Sequence, residues 1–463
     1  MKHSRYIDTS MMPPINIGKI FDKKYLFSPM DNSAIVLFRV FFGLLITAEA
    51  WGAIMTGWVK RAFIDPEYTF NFIGFEFLQP LPGNGMYYYF ILMGLAGVLV
   101  MIGWYYRVAV TVYFVMWSCV YLMQKTHYNN HYYLLMLLLG IMIFVPANQF
   151  FSLDAKRKQE IKSLVCGRWV QAVFVVQLFI VYTYAAFSKI YEDWLLARPI
   201  AIWFRGKQEY WLIGDLLQEE WLHTFVVYGG IFFDMLVIPA LLWRRTRMLA
   251  IAVSVFFHLF NSAVFQIGIF PYLALSFLVF FFDPEEIRRT FFKSKPTPSK
   301  AELESTFIPT YAKLALAIGY GYFIIQTLLP VRYHLYPGNV HWTEEGHRLA
   351  WKMMLRAKSA SIYFNVINKD TGEVRMVRPS KELPRKQARK VASTPDVTWQ
   401  YVQRLKDRLA GEGWTSVEIY AISKCSLNGR PSQPLIKPDY DLAKAEWHTF
   451  LPSDWINPLD ETL

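Results

Sequence analysis

The stretch AIVLFRVFFGLLITAEAWGAIMT, residues 34–56, decides the fold class. A helix needs about 20 apolar residues to cross the ~30 Å hydrocarbon layer of a bilayer. This run supplies them, with Arg39 and Glu49 as its only ionisable groups. Further apolar stretches follow at roughly 86–104, 107–124, 131–149, 169–188, 224–243, 247–265, 268–283 and 312–330. The run from 248 to 282 is too long for one span, and Gln266, Gly268 and Pro271 place a tight turn inside it. The sequence therefore reads as mainly α, a polytopic α-helical membrane bundle of about nine spans.

Composition agrees. Of 463 residues 18% are charged and 54% hydrophobic, against roughly 25% charged in soluble domains, which excludes a disordered chain. The 28 Tyr and 16 Trp suit aromatic belts at the two membrane interfaces. A formal net charge of +12 could signal nucleic-acid binding, but the cations cluster in loops. The clusters are Lys2, Arg5, Lys19, Lys23 and Lys24; Arg107; Lys156, Arg157, Lys158, Lys162 and Arg168; Arg244, Arg245 and Arg247; and Arg288, Arg289, Lys293, Lys295 and Lys300. They follow alternate spans, and Lys and Arg accumulate on the cytoplasmic side. The expected partner is thus the lipid bilayer, with no nucleic acid. The N-terminus is expected in the cytoplasm, and an odd span count sends the C-terminal region to the periplasmic or lumenal side.

Past residue 330 the pattern changes, which divides the chain into a membrane domain, 1–330, and a small extramembrane α+β domain, 331–463. Runs 361–367 and 373–377 around Asp370-Thr-Gly form a hairpin signal, and 396–409 reads as an amphipathic helix stopped by Gly411. Runs 417–423 and 434–436 flank Asn428-Gly429 as a second hairpin. Cys119, Cys166 and Cys425 lie in unlike surroundings, so no disulfide is expected. The first apolar run starts too late and is too long for a cleavable signal peptide.

Ionisable groups inside a span cost at least about 2.5–3.5 kcal/mol on insertion scales, so each needs a partner or a task. Arg39, Glu49 and Asp234 read most simply as members of interhelical ion pairs. Lys189 closes span five, where it could snorkel to the interface or pair with Glu192 or Asp193 at i+3 and i+4. The alternative is a desolvated amine, neutral often enough to accept a proton near pH 7. His131 follows Asn129 and Asn130, both good N-cap residues. It is either an interfacial histidine bonded to a loop or a neutral imidazole at a helix N-terminus, beside a bound carboxylate. Ser254, His258, Asn261, Ser262 and Phe265 fall on one helix face, a stripe that either joins helices or lines a site. With odd spans running outward, His131, Lys189, His258 and Asn261 gather at the outer end, which points to a shared pocket.

These residues lie in segments that resemble the vitamin K-dependent gamma-glutamyl carboxylases and their horizontally transferred transmembrane (HTTM) domain. The segments are FRVFFGLLITAE (38–49), QPLP (79–82), KTHYNNHYYL (125–134), AAFSKIYEDW (185–194) and HLFNSAVFQIGIF (258–270). WTEEGHRLAWKMMLRAKSASIYFNVINKDTGE (342–373) and PDYDLAKAEWHTFLPSDWINPL (438–459) continue the match in order. The resemblance implies gamma-carboxylation of glutamyl residues in a protein or peptide, coupled to epoxidation of reduced vitamin K, a menaquinol- or phylloquinol-type hydroquinone. O2 and CO2 are the implied co-substrates. A glutamyl γ-C–H is too weak an acid for any side-chain base, and oxygenation of the quinol supplies the missing driving force.

Residue by residue, the resemblance implies that Lys189 is the base acting on the quinol and that His131 orients the glutamate and stabilises developing charge. Asn130, Asn129 and Arg205 are the expected substrate-binding residues. His258, Asn261, Phe270 and Tyr128 are expected at the quinol, covered by Trp351, Met353, Met354 and Arg356 of the outer domain. No metal is expected, and a quinone reductase would regenerate the quinol. Ser188 replaces a second lysine of the animal enzymes, Tyr128 a Trp and Pro271 a Ser, while their cysteine bridge and longer lumenal extension have no counterpart in this sequence. A shorter bacterial-type homologue of the inner membrane is therefore expected. A quinol epoxidase without carboxylation, or a non-catalytic quinone or lipid binder, could use the same pocket. A di-iron enzyme built on His127 and His131 is disfavoured, since nine histidines with no adjacent pair cannot supply its several boxes.

Overall fold

The computed structural model describes residues 15–306 and 308–462, so Lys2 and Arg5 of the basic N-terminal segment lie outside the described residues. The apolar stretches form α1 (Ser33–Met55), α2 (Gly85–Ile102), α3 (Tyr106–Met123), α4 (Asn130–Phe144), α5 (Trp169–Ser188), α6 (Glu220–Leu242), α7 (Arg244–Phe265), α8 (Phe270–Ser276) and α9 (Ala312–Leu328). Among the described residues seven of these are long and apolar enough to cross a membrane, and α4 and α8 are shorter. The turn inside 248–282 is present, with Gln266 and Gly268 at φ of 51° and 65°.

The fourth stretch falls short of the expected 131–149. Val145 takes an extended ψ of 133°, because Pro146 bars the residue before it from helical geometry. Fifteen residues make a helix of about 22 Å. It still joins the two ends of the bundle. Its first residue, Asn130, donates to the Lys352 carbonyl at 3.0 Å, and just past its end the Ala147 carbonyl accepts from Arg39 at 2.8 Å. The eighth behaves likewise. Phe270 stacks on His131, α8 continues as a 3-10 turn to Phe281, and the Phe280 carbonyl accepts from Gln171 in the first turn of α5.

Helix α1 is central. Gly43 lets α2 approach so closely that a Cβ there would lie 2.4 Å from the Met101 nitrogen, the small-residue crossing usual between membrane helices. Phe38 sets its ring 5.0 Å from Phe174, 4.9 Å from Phe277 and 5.0 Å from Phe280, which ties α1 to α5 and α8. Arg39 is in no ion pair among the described residues, contrary to expectation. Its guanidinium is satisfied by the carbonyls of Met101, Ala147, Phe150 and Phe151, since five donors in a fixed fork suit a ring of acceptors. Glu49 instead faces Tyr132 and Gly268.

Beyond the bundle, β1 (Lys358–Asn368) pairs antiparallel with β2 (Val374–Val377), and α10 (Arg385–Ser393) and α11 (Pro395–Gly411) lead to β3 (Val417–Leu427). The sheet order is β2-β1-β3, with Phe364 opposite Ala421. Its apolar face, with Phe364, Val366, Ile419 and Ala421, packs against Val391, Tyr401 and Leu405 of α10 and α11. The second hairpin does not form as expected. Asn428 and Gly429 take the positive φ of a tight turn, 53° and 81°, but the returning chain pairs only at Gln433 with Cys425. Pro434 has no N–H for the ladder, and Ile436 bridges to Ile456 instead.

This α+β unit sits on the end of the bundle where α3 and α5 finish and α4 begins. Lys125 pairs with Asp396 at 2.6 Å, and Asn428 donates to Asp193 at 2.9 Å. The basic loops lie at the other end, where Arg288 pairs with Asp31 at 3.2 Å beside the start of α1.

Candidate active site

Lys189 is the C-cap of α5. Its ammonium pairs with Asp234 of α6, with the two side chains 12% and 5% exposed, rather than with Glu192 or Asp193. Asp193 is held elsewhere, by Arg198 at 2.6 Å and Arg430 at 2.9 Å. Gly230, one turn before Asp234, lines the approach; a Cβ there would lie 3.8 Å from Lys189 Nζ, an ordinary contact.

An aromatic wall runs inward from this pair. Tyr182 lies seven residues before Lys189, on the same face of α5 and about 10 Å deeper. Its hydroxyl is 3.0 Å from Nε2 of His258. Phe233, next to Asp234, sets its ring 5.9 Å from Tyr182, 5.7 Å from His258 and 3.9 Å from Phe257. Phe270 lies 6.3 Å from His258 and stacks on His131 at 3.9 Å with 17° between the planes. The structure thus links Lys189, His258, Phe270 and His131, spread over about two helical turns rather than at one level. Nδ1 of His258 is buried without a partner among the described residues. Asn261 is half-buried, one turn further along the stripe.

The start of α4 supports a cover over this wall. Asn129 is the N-cap, its side chain accepting from the Tyr132 nitrogen at 2.8 Å. Asn130 donates to the Lys352 carbonyl and accepts from the Tyr128 hydroxyl at 2.8 Å, which itself accepts from the Leu349 nitrogen at 2.7 Å. Leu349, Trp351 and Met354 all have left-handed φ, of 61°, 54° and 48°. Non-glycine residues hold such geometry only where their surroundings over-determine it. Trp351 is fully buried, 5.0 Å from the Tyr133 ring, and Met353 packs on the membrane core.

Three expected site residues are placed differently from these. Met354 is 39% exposed. Arg356 turns away from the wall into a buried ion cluster, binding Glu344 through Nε at 2.7 Å and also contacting His347. Lys358 reaches Glu344 at 3.5 Å. Burial alone would raise Glu344, but Arg356 and Lys358 outweigh it and hold the carboxyl well below its ordinary range. Burial, with Arg356, pushes Lys352 down to about 8. Arg205 is exposed at the end of the helix Arg198–Arg205 and joins neither the wall nor the cluster. His127 does not join His131, since its ring lies against Trp58 at 5.5 Å.

Residues 27–285 match the family model of the HTTM domain, over half of the chain, and residues 311–462 match that of the vitamin K-dependent gamma-carboxylase lumenal domain. The chain belongs to the vitamin K-dependent gamma-carboxylase family. No solved structure matches it. Within this family frame, the wall comes from the HTTM segment and the cover from the lumenal segment.

The structure gives Asp234 the interhelical ion pair expected of it and brings in residues that were not singled out from the sequence. Asp234 was visible as the one acid in the middle of span six, but its partner was not. Tyr182 shares a helical face with Lys189, a signal that was available. The contact of the Tyr191 hydroxyl with the Leu355 carbonyl, and of Asp193 with Asn428 and Arg430, spans more than 160 residues and leaves no local trace.

Proposed function

We propose that this family member uses reduced vitamin K, O2 and CO2 to convert glutamyl side chains of a protein or peptide into gamma-carboxyglutamate. The quinol leaves as its 2,3-epoxide. One quinol, one O2, one glutamyl residue and one CO2 balance as one epoxide, one carboxyglutamate and one water. The observation that carries the reading is the Lys189–Asp234 pair at the mouth of the wall formed by Tyr182, Phe233, His258, Phe270 and His131.

These residues fit a naphthoquinol. Flat rings suit its apolar face, and Nδ1 of His258, without a partner among the described residues, suits a hydroxyl. When bound, reduced vitamin K with O2 supplies a driving force that no side chain has. Lys189 takes the acidic proton at Nζ. For that its own ammonium proton must first move, and the Asp234 carboxylate is the atom group placed to hold it. In a poorly solvated setting a neutral amine and neutral acid avoid the cost of two buried charges. Neutral His131, in the first turn of α4, orients the glutamyl carboxylate with help from the helix N-terminus. Asn130 and Tyr128 act as positioning residues that keep the cover closed and water out. The basic loops support a cytoplasmic N-terminus and a C-terminal domain on the periplasmic or lumenal side, in a bacterial inner membrane where a quinone reductase restores the quinol.

The test supplies purified protein with reduced vitamin K, O2, labelled bicarbonate and a Glu-containing peptide. Label fixed in peptide together with epoxide supports the proposal. Epoxide without label would make the protein a quinol epoxidase, and quinone binding with neither product would make it a non-catalytic binder.

A further inference from the structure

The helix α10, sequence RKQARKVAS, carries four cations and no acid. Its inward face, Gln387, Ala388, Val391 and Ala392, is buried. Arg385, Lys386 and Arg389 are exposed and Lys390 is half-buried, so the outward face is cationic and carries no large apolar side chain. The helix lies on the seam between the lumenal domain and the bundle, where Gln387 donates to the Tyr68 carbonyl at 2.8 Å. Arg61 of the bundle is exposed and lies within the field of Lys386. Helix α10 touches the turn Lys125–His127 that leads into α4, and His127, pushed down to about 3 chiefly by burial, also lies within the fields of Lys386, Lys390 and Arg61.

Several acids of this region are committed elsewhere. Glu382 pairs with Arg408, Glu344 with Arg356 and Lys358, and Asp396 with Lys125 and Arg348. Asp65 and Glu67, in the loop that follows Arg61, pair with none of these cations among the described residues. Lys390 lies within the field of Glu344, Arg356, Arg348 and Lys358, and its helix packs on β1, which begins with Lys358. Arg385, Lys386, Arg389, Lys390 and Arg61 outnumber Asp65 and Glu67, and a net charge of one sign raises the local concentration of oppositely charged ligand.

We propose that the outward face of α10 docks the acidic flank of the substrate, a peptide bearing several carboxylates besides the one that reacts. This deepens the carboxylase reading and rests on it for the reason such a peptide arrives. A lipid headgroup is the weaker occupant, because membrane-surface helices pair their cations with apolar residues that enter the bilayer, and this face offers none.

The experiment compares two peptides with one Glu each, one flanked by neutral residues and one by Asp. For the intact protein in neutral-lipid nanodiscs, KM should be roughly tenfold lower for the Asp-flanked peptide at low salt, and the advantage should vanish near ~0.5 M salt. The triple variant Arg385→Gln, Lys386→Gln, Arg389→Gln should lose that advantage and keep kcat and KM on the neutral peptide. The charge-conserving Arg385→Lys, Lys386→Arg, Arg389→Lys should retain it. Anisotropy of a labelled Asp-flanked peptide reads docking without turnover, so a chain that binds it through α10 but carboxylates nothing would defeat only the activity reading. Equal binding by wild type and the triple Gln variant would overturn the docking site. So would a variant whose single defect is weaker retention on vesicles containing phosphatidylglycerol.

Discussion

Two lysine–aspartate pairs flank the junction of bundle and lumenal domain, and they are built differently. At the seam, Asp396 accepts from Lys125 at 2.6 Å and from Arg348 at 2.7 and 3.1 Å, so both carboxylate oxygens are engaged. At the mouth of the aromatic wall, Asp234 accepts from Lys189 alone among the described residues, through one oxygen. A buried carboxylate saturated by two cations is locked in its charged form and serves as a rivet. A carboxylate with one partner and a free oxygen can exchange a proton with that partner. The same two residue types thus make a joint in one place and a candidate base in the other, and the second cation decides which.

The sharpest way to break this contrast is Lys189→Met. Epoxide formation should fall by about a hundred- to ten-thousandfold, the usual share of a general base, while quinone binding, followed by equilibrium titration, stays within a few-fold. A loss below tenfold would make the Lys189 pair another rivet. Next is Asp396→Asn at the seam, expected to cost about 3–5 kcal/mol of unfolding stability in detergent, since it strands Lys125 and Arg348 in the interior. Burial would raise Asp396, but Arg348 and Lys125 outweigh it and hold the group at about 2 against its ordinary 3.8. A carboxyl depressed on folding stabilises at pH above its unfolded value. The contribution should therefore be complete above pH ~4 and fade as pH falls toward ~2; a wild-type acid melt identical to that of Asp396→Asn would contradict it.

Asp234→Asn should slow turnover by roughly ten- to a hundredfold, the worth of a charged hydrogen bond of about 1.5–3 kcal/mol, and should reshape the rate–pH profile. A merely structural Asp234 would lower stability and leave the shape of that profile unchanged. The smallest effect is expected from Tyr182→Phe, which removes the bond to His258 at a cost of about 1 kcal/mol. Read as KM for quinol this is roughly fivefold, with kcat nearly constant.

The spans were legible because a bilayer imposes a length and a polarity that each segment must meet alone. Even the short α4 follows local rules, with Asn129 capping its start and Pro146 stopping it. The first hairpin of the lumenal domain, β1–β2, was equally local. The second failed because the partner of the Asn428-Gly429 turn was not the adjacent run. Candidate site residues were legible as expensive polar groups in apolar surroundings, but their partners were not. Lys189 faced two nearby acids in sequence and chose Asp234, 45 residues away. Arg39 met backbone carbonyls where an acid of another helix was expected.

By itself, then, the sequence determined how many apolar helices this protein has, which end carries its basic loops, and which side chains are too costly to be idle. Those are properties of single segments weighed against water or lipid. Pairing is a property of two segments and depends on how helices rotate and cross. That rotation, set by contacts such as Gly43 against α2 and Phe38 against α5 and α8, decided that Lys189 meets Asp234, that His131 stacks on Phe270, and that Arg356 turns into an ion cluster away from the wall.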